Sequence, residues 1–452
     1  VSIGTKVFAQ DSAAAEEPAG MERVIPGTEN WNGKHDISVG SFFGNLWHTT
    51  GIYKMIHTES PEEAAASQAE LAAEEVRKNE GSSVFAKSAP GWQYLLMIAI
   101  GFLIVYLGAG RGFEPLLLIP IGFGTILVNI PGAGMGNAPD GMLNIIYNAG
   151  VGNEFFPMLI FMGIGAMTDF GPLIANPKTA LLGGAAQFGV FFTLFGVAFM
   201  NAFLGTDYTM LQASAISIIG GADGPTSIYV SGKLAPEMMA VIAVAAYSYM
   251  ALVPMIQPPI MKLLTTKKER LIRMAYAEKQ VSKTAKILFP IIITMVAGLF
   301  VPRSVALVGF LMFGNLIREC GVLDSLSETA QKVLANLITL LLGLTVASKM
   351  QAEYFLNRQT LMILALGLVA FVFDTIGGVL VAKVYNLFAK QKINPMIGAA
   401  GISAFPMSAR VVNKMGLQED NQNFLLMHAV GVNVSGQIAS VIAGGMILTL
   451  FA

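Results

Sequence analysis

The chain has little cysteine and little charge. One of its 452 residues is a cysteine, Cys320, and 13% are charged, with a formal net charge of −1. A lone cysteine excludes an intrachain disulfide and a cysteine-based metal site. The absence of a basic stripe interleaved with aromatic residues excludes a nucleic-acid partner. The sequence also lacks a Walker A phosphate-binding loop, so it shows no signature for the use of ATP.

Apolar residues and glycine are abundant instead. Hydrophobic residues make up 54% of the chain, 48 residues are glycine, and mean hydropathy is +0.62. These values are typical of an all-α polytopic membrane protein. About ten apolar segments have spanning length. They lie at about 93–109, 113–131, 154–170, 179–203, 236–261, 286–301, 303–319, 330–348, 360–386 and 423–451.

Residues 1–92 form a polar N-terminal extension before the membrane region. Residues 42–56 mix aromatic and polar side chains over a stretch too short to span, which indicates an interfacial segment. Residues 60–81 begin with a Ser-Pro pair and a capping box and end in glycine, which predicts a solvated acidic helix. The first residues resemble the end of a removed export signal.

Lysine and arginine set the predicted orientation. The loop from Lys262 to Lys286 has eight basic and two acidic residues, and loops of this kind stay cytoplasmic. Segments 209–232 and 393–412 are apolar but broken by glycine, proline and polar residues, which is typical of discontinuous helices or re-entrant hairpins. If both return to the side that they enter from, the N-terminal extension and the C-terminus lie outside.

The same count predicts two membrane repeats of opposite orientation. Residues 93–262 and 286–452 each contain four spans, a broken segment and a fifth span, and residues 263–285 form the basic loop between them. Pro225 and Pro406 occupy corresponding places, because each precedes a lysine by eight residues. Inverted-repeat transporters place their ion site near the bilayer midplane, where the discontinuous helices meet.

The broken segments carry the candidate ligands. Glycines and a proline unwind the chain around Asp223, and aligning Pro225 with Pro406 brings Asp223 within one residue of Ser403. An ionised aspartate at midplane depth costs about 2.5–3.5 kcal/mol on insertion scales, so we expect a counter-cation. Carboxylate, hydroxyl, amide and backbone oxygens suit a hard monovalent cation. Since a proton and a cation compete for one carboxylate, we interpret Asp223 as an exchangeable ligand.

Other polar residues in the broken segments and in the spans after them extend this constellation; they are Tyr249, Gln257, Asn394, Ser408, Arg410 and Asn433. Simpler interpretations stay open. Asp223 could cap a helix at the interface, and Tyr249 could be a packing or belt residue. Asp374, deep in its span, is a second metal candidate, although a structural hydrogen bond to a neighbouring helix explains it equally well.

Five motifs resemble the beta subunit of the biotin-dependent sodium-translocating decarboxylases, the group that acts on oxaloacetate, methylmalonyl-CoA, glutaconyl-CoA or malonate. In chain order they are GGADGPTSIYVSGKLAPE, AYSYMALVPMIQPPIMK, FDTIGGVL, INPMIGAAGISAFPMSARVVNK and NFLLMHAVGVNVSGQI. The resemblance covers about residues 93–452. It assigns no function to residues 1–92, because the family usually begins shortly before the first span.

The resemblance implies an enzyme subunit. Carboxybiotin, made by a carboxyltransferase subunit and delivered on a biotin carrier subunit, is decarboxylated at the cytoplasmic side while sodium is exported and a proton is consumed. No biotin-attachment motif is present, so the carrier is another chain. A small membrane subunit of the gamma or delta type is also implied. We further expect a homo-oligomer in the inner membrane.

The resemblance and the spacing together give each candidate residue a hypothetical role. Catalysis is assigned to Asp223, Tyr249 and Arg410, and attraction of the carboxybiotin carboxylate to Arg410 and Lys414. The proposed metal set is Asp223, Ser403, Asn394, Asn433, Gly398 and Asp374. The alternatives are a secondary transporter that exchanges sodium for protons or a carboxylate solute, and a scaffold that only anchors soluble subunits.

Overall fold

The computed structural model describes residues 89–112, 115–274, 281–356, 358–404 and 406–451. Within these ranges all regular secondary structure is helical, which confirms the predicted all-α fold. The predicted interfacial segment, acidic helix and export signal precede residue 89 and therefore lie outside the described residues.

The helices of the first half are α1 (Gly91–Arg111), α2 (Pro115–Val128), α3 (Met142–Gly150), α4 (Phe155–Met167), α5 (Gly171–Ala175), α6 (Thr179–Ala185), α7 (Phe188–Phe203), α8 (Met210–Ser217), α9 (Gly224–Leu234), α10 (Met239–Ala251), α11 (Val253–Leu264) and α12 (Lys267–Arg270), with a 3-10 helix at Ile218–Gly221. Those of the second half are α13 (Lys283–Phe300), α14 (Val305–Cys320), α15 (Asp324–Glu328), α16 (Ala335–Val346), α17 (Ala352–Phe355), α18 (Arg358–Phe388), α19 (Met407–Glu419) and α20 (Leu426–Phe451), with 3-10 helices at Pro302–Ser304, Ala347–Lys349 and Pro395–Gly401 and a π-helical stretch at Thr329–Leu334.

Six helical stretches in the described ranges are apolar and long enough to cross a membrane: Gly91–Arg111, Thr179–Phe203, Lys283–Phe300, Asp324–Lys349, Arg358–Phe388 and Leu426–Phe451. Two bent pairs, α3 with α4 and α10 with α11, raise the number to at most eight. The expected count of ten is not confirmed. Helices α2 and α14 have 14 and 16 residues, and at about 1.5 Å per residue they fall short of a hydrocarbon core of about 30 Å.

The first broken segment enters and leaves at the same end of the helix bundle. Gln212, near its start, donates a hydrogen bond to Glu237, just beyond its end, at 2.9 Å. Lys233 in its last turn forms an ion pair with Glu154, which precedes α4, at 3.0 Å. The segment is therefore re-entrant, and it continues into the start of α10.

The second broken segment is re-entrant at the opposite end. Asn394 at its start and Asn423 after it both donate to the backbone carbonyl of Arg270, at 2.8 and 2.9 Å. Arg270 follows the end of α11, whereas the first segment leads into the start of α10. The α10–α11 pair, which is bent by 65°, thus lies between the two attachment points, and this placement supports the predicted opposite polarity of the two broken segments.

The two halves contact each other through corresponding pairs of helices. Helix α2 packs on α16, and α14 packs on α4, so the second helix of each half contacts the third span of the other. Helix α9 packs on α20, and α11 packs on α19, so the helix after each break contacts the last span of the other half. Such reciprocal packing is expected of two structurally related repeats.

Each break also lies against a glycine of the span that precedes it. A Cβ added to Gly220 would meet backbone atoms of Gly189 at 2.3 Å, and one added to Gly398 would meet the carbonyl oxygen of Gly378 at 2.0 Å. No side chain fits at these distances, because packed atoms in protein interiors leave no such space. Glycine is therefore required at one place in each of the two breaks.

Residues 265–274, here called the linker strap, are docked across the base of the second broken segment. Arg270 Nε donates to Glu419 at 2.7 Å, and Arg273 donates to both carboxylate oxygens of Asp420 at 2.5 and 3.0 Å. The Arg273 guanidinium lowers the pKa of the Asp420 carboxyl below its ordinary value, so this pair is charged at neutral pH. This described part of the basic loop is thus a fixed element of the fold.

Candidate functional site

The first break places a carboxylate at the start of a helix. The chain leaves the 3-10 helix, passes through Ala222 in the left-handed region (φ 51°) and begins α9 after Asp223. An L-residue in this conformation costs about 1–2 kcal/mol, because its Cβ crowds the next carbonyl. Such strain is concentrated at functional sites. Asp223 is the N-cap, and its Oδ1 accepts a hydrogen bond from the Thr226 amide at 3.2 Å.

Asp223 joins the two breaks to the last helix. Its Oδ2 accepts hydrogen bonds from the hydroxyls of Ser403, in the second break, at 3.2 Å and Ser440, in α20, at 2.7 Å. The two hydroxyl oxygens lie 3.1 Å apart, and all three residues are buried. The alignment of Pro225 with Pro406 therefore predicts this contact correctly.

Among the described residues, the Asp223 carboxylate has no cationic side chain as partner: none of their ion pairs involves Asp223, which is only 5% exposed. An ionised carboxylate in so apolar a setting is costly unless another charge compensates it. The site therefore suits either a small cation or a proton.

Two amide side chains near these elements have unpaired oxygens. Gln187 Oε1 and Gln437 Oε1 are buried and have no hydrogen-bond partner in the part of the chain that the structure describes. Buried polar atoms nearly always find a partner, so unpaired oxygens are unusual. Such oxygens are the ligands that hard cations prefer.

Two amide side chains hold the second break. Asn433 donates to the carbonyls of Ala400 and Ile402 at 3.0 and 2.7 Å, and Gln257 donates to a third carbonyl of this segment at 2.8 Å. A broken helix frees carbonyls that need donors inside a membrane protein. Asn433 therefore fixes the backbone that leads into Ser403.

Tyr247 lies against the helix start after the first break, whereas the Tyr249 ring lies beside Ile219, before that break. Ring atoms of Tyr247 are 2.3 Å from the place that a Cβ on Gly224 would take, and its buried hydroxyl has no hydrogen-bond partner among the described residues. The hydroxyl of Tyr249 instead donates to the carbonyl of Leu364 in α18, and its ring packs on Gly367.

Three other candidates lie away from Asp223. Asn394 is at the base of the second broken segment and binds the linker strap. Gly398 packs on the preceding helix, and Asp374 accepts a hydrogen bond from the Gly189 amide at 2.7 Å. For Asp374, the geometry is that of the structural hydrogen bond considered as an alternative, while its other oxygen has no hydrogen-bond partner in the described ranges.

Arg410 and Lys414 lie one turn apart on α19, and both are exposed. Neither side chain forms an ion pair within the described residues. Helix α19 runs from the second break to the linker strap, and at about 1.5 Å per residue Arg410 lies about 13 Å inward from Glu419. A charged side chain at that depth faces water or a counter-charge.

Sequence reasoning misses Ser440 and Tyr247. Asn433, Gln437 and Ser440 are spaced i, i+4 and i+7, which puts them on one helix face. That spacing is a usable signal for Ser440. The sequence holds no comparable signal for Tyr247, because Tyr247 and Tyr249 are equally plausible until the rotation of their helix is known.

The fold and the site define an integral membrane protein in which two re-entrant segments meet at a buried carboxylate, an architecture of ion-translocating proteins. A family model described as the Na+-transporting oxaloacetate decarboxylase beta subunit matches residues 93–451. The chain belongs to this family of decarboxylase beta subunits. This finding confirms the predicted enzyme subunit over a secondary transporter without decarboxylase chemistry.

Three relatives illustrate the similarity. The chain is 49% identical to the oxaloacetate decarboxylase beta chain of Klebsiella pneumoniae, with 78% of this chain and 94% of that protein covered. It is 51% identical to the glutaconyl-CoA decarboxylase subunit beta of Acidaminococcus fermentans, with 79% and 93% covered. It is 50% identical to the methylmalonyl-CoA decarboxylase subunit beta of Propionigenium modestum, with 79% and 94% covered.

Proposed function

We propose that the chain removes the carboxyl group from carboxybiotin and couples this reaction to sodium export with consumption of a proton. The observation that carries the proposal is Asp223, a buried carboxylate held by two hydroxyls where the two re-entrant segments meet. In a family described as sodium-transporting, this is the group best suited to bind the transported ion.

Asp223, Ser403 and Ser440 form the centre of the proposed sodium site. The carboxylate supplies the charge, and each hydroxyl supplies a lone pair, which together suit a hard cation. Protonation of Asp223 removes the charge that holds the ion. Arrival of a proton therefore releases sodium, so one carboxylate serves both halves of the exchange.

Other predicted residues support this centre in our proposal. Asn433 fixes the carbonyls beside Ser403, Gly398 allows the second break to pack closely, and Asn394 holds the base of that segment on the linker strap. Tyr249 binds α18 through its hydroxyl. These residues shape the site, while Asp223 binds the ion.

Arg410 and Lys414 guide the substrate. Carboxybiotin carries a carboxylate, and two exposed cations on one face of α19 provide an attractive path from the linker-strap end toward the break. In the reaction, the bond between the ureido nitrogen and the carboxyl carbon breaks, CO2 leaves, and the nitrogen takes a proton. Arg410 lies nearer the break, so we assign to it the contact with the carboxylate.

The linker-strap end faces the cytoplasm in this proposal, because it carries the basic loop. The N-terminal extension and the C-terminus then lie outside. The carboxyltransferase and biotin carrier subunits bind the cytoplasmic end. Only 17% of the apolar stretch of α1 and 11% of that of α13 are buried inside the protein. Their exposed faces leave surface for a small gamma- or delta-type membrane subunit or for further copies of the chain.

The identity of the decarboxylated acid does not depend on this subunit in our proposal. Relatives named for oxaloacetate, glutaconyl-CoA and methylmalonyl-CoA share 49–51% identity with the chain. Choice of acid is assigned to the carboxyltransferase, and all these reactions deliver the same carboxybiotin. The decarboxylation also supplies the driving energy, since moving one charge against 100 mV costs about 2.3 kcal/mol.

Sodium uptake into inverted vesicles that contain the complete complex tests the proposal. Asp223→Asn is expected to lower sodium-stimulated decarboxylation and uptake about 100-fold, which corresponds to about 2.7 kcal/mol. Retention of sodium-stimulated turnover by this variant would refute the ion-binding role. Arg410→Ala is expected to lose decarboxylation while it keeps its sodium affinity. Normal decarboxylation by that variant would refute the substrate-guiding role.

A further inference from the structure

We infer that Gln187 supplies an additional oxygen ligand to the cation site at Asp223 and that Asp374 is the positioning residue that keeps Gln187 in place. The inference rests on the proposed function, because it assigns two further residues to the same sodium site. Both residues lie outside the two re-entrant segments.

Gln187 directs a free oxygen into the protein interior. It precedes α7, is 5% exposed, and donates its Nε2 to the carbonyl of Gly436 at 3.3 Å. This hydrogen bond fixes the orientation of the amide, since a carbonyl can accept only from the nitrogen. Oε1 then has no hydrogen-bond partner in the described ranges, although a buried acceptor needs one.

The free oxygen lies on the side of the first break that faces Ser440. Gln187 Oε1 is 3.5 Å from the point that a Cβ on Gly221 would occupy, and the Cβ of Ser440 is 3.7 Å from the same point. The Ser440 hydroxyl in turn donates to Asp223 at 2.7 Å. Gln187 Oε1, Ser440 and a methyl group of Val190 therefore surround one point beside Gly221, and Ser440 links this point to Asp223.

Asp374 fixes the start of α7, which carries Gln187. Its Oδ1 accepts from the amide of Gly189, two residues after Gln187, at 2.7 Å. A Cβ on Gly189 would lie 2.1 Å from this carboxylate oxygen, while the other side of Gly189 is in contact with Gly220 of the first break. The first turn of α7 thus lies between Asp374 on one side and the first break on the other.

Gln187→Met tests the ligand role, because methionine keeps the length of the side chain and removes the oxygen. We expect the sodium concentration for half-maximal decarboxylation to rise about tenfold, with the maximal rate at saturating sodium almost unchanged. The sodium-dependent rise in the Tm of the purified chain should shift to higher sodium by a similar factor, which gives a readout independent of the partner subunits.

Asn315 in α14 provides a matched control. Like Gln187, it is buried, donates its amide to a carbonyl (Thr168, 2.9 Å) and has an unpaired oxygen within the described residues, but it packs against α4. Asn315→Leu is expected to lower the Tm and leave half-saturation by sodium unchanged. If Gln187→Met also lowers the Tm and leaves the sodium concentration for half-maximal decarboxylation unchanged, the ligand role is overturned.

Asp374 is tested by two variants. Asp374→Asn keeps an acceptor for the Gly189 amide, so the sodium concentration for half-maximal decarboxylation should change little; Asp374→Leu removes the acceptor, and a rise of more than about tenfold is expected. Normal half-saturation in both variants would overturn the positioning role. If both Asp374 variants are normal while Asp223→Asn loses sodium dependence in the same assays, only this inference fails. If Asp223→Asn keeps its sodium dependence, the proposed function itself is wrong.

Discussion

The two re-entrant segments share a scaffold and differ in chemistry. Gly220 and Gly398 let each break lie against the preceding span, and each segment returns to its own end of the bundle. Only the first carries an acid at the contact, Asp223, whereas the second contributes Ser403 and, further along, Arg410. The symmetry of the fold thus fixes where the tips meet, and single side chains decide what each tip binds.

The attachments of the two segments also differ. A single hydrogen bond from Gln212 to Glu237 joins the two flanks of the first segment among the described residues, together with the ion pair of Lys233. The second is anchored by the linker strap through backbone, amide and charged contacts. The half that is proposed to meet the substrate therefore has the more firmly held base.

The largest effect is expected when the acid is moved from one segment to the other. Asp223→Ser should lower sodium-stimulated decarboxylation about 100-fold, because the contact loses its carboxylate. Adding Ser403→Asp places a carboxyl group next to the original position and should raise sodium-stimulated decarboxylation about tenfold above that of Asp223→Ser alone. The measurement is sodium-dependent decarboxylation in membranes that contain the whole complex.

A double variant that folds normally but recovers no sodium-stimulated decarboxylation would sharpen the comparison. It would show that the acid needs the N-terminus of α9 as well as the right location. Folding is checked by the Tm of the purified double variant, which should stay close to that of the unchanged chain.

An intermediate effect is expected at the glycine contacts that the segments share. Gly220→Ala and Gly398→Ala each force a methyl group into backbone atoms and should cost about 1–3 kcal/mol of stability. Thermal unfolding in detergent measures the loss. Gly184→Ala is the control, since a Cβ there would meet nothing within 4 Å. Loss of stability in only one of the two breaks would show that the shared packing is less symmetric than the contacts indicate.

The smallest effect is expected at the linker strap. Arg273 lowers the pKa of Asp420 in the folded protein, so this contact is complete above the unfolded pKa and is lost as pH falls through the lowered folded value. Amide hydrogen exchange in residues 267–274, corrected for its intrinsic pH dependence, should be slow at neutral pH and speed up only below the ordinary pKa of an aspartate, about 3.9. Asp420→Asn should remove this pH dependence. Equal exchange in both proteins at neutral pH would show that the other contacts of the strap hold it without the Arg273–Asp420 pair.

The sequence predicts the broken segments and their meeting point because helix breakers and a buried acid are visible in it. Aligning Pro225 with Pro406 is enough to pair Asp223 with Ser403. Gln187 and Ser440 are not predicted, since they lie on spans whose rotation depends on packing between distant helices. The partner of Asn394 is likewise hidden, because Arg270 lies 124 residues earlier. Span length is also missed, since hydropathy does not mark where α2 and α14 end.

The opposite polarity of the re-entrant segments has an electrical consequence. If the tips form the barrier between the two sides, as the proposed function requires, most of the membrane voltage falls across that short distance. An ion that Asp223 binds and releases in the proposed function then crosses most of the field with a small displacement. Voltage is expected to act on that one step of the cycle, and a modest local rearrangement is sufficient to move the charge.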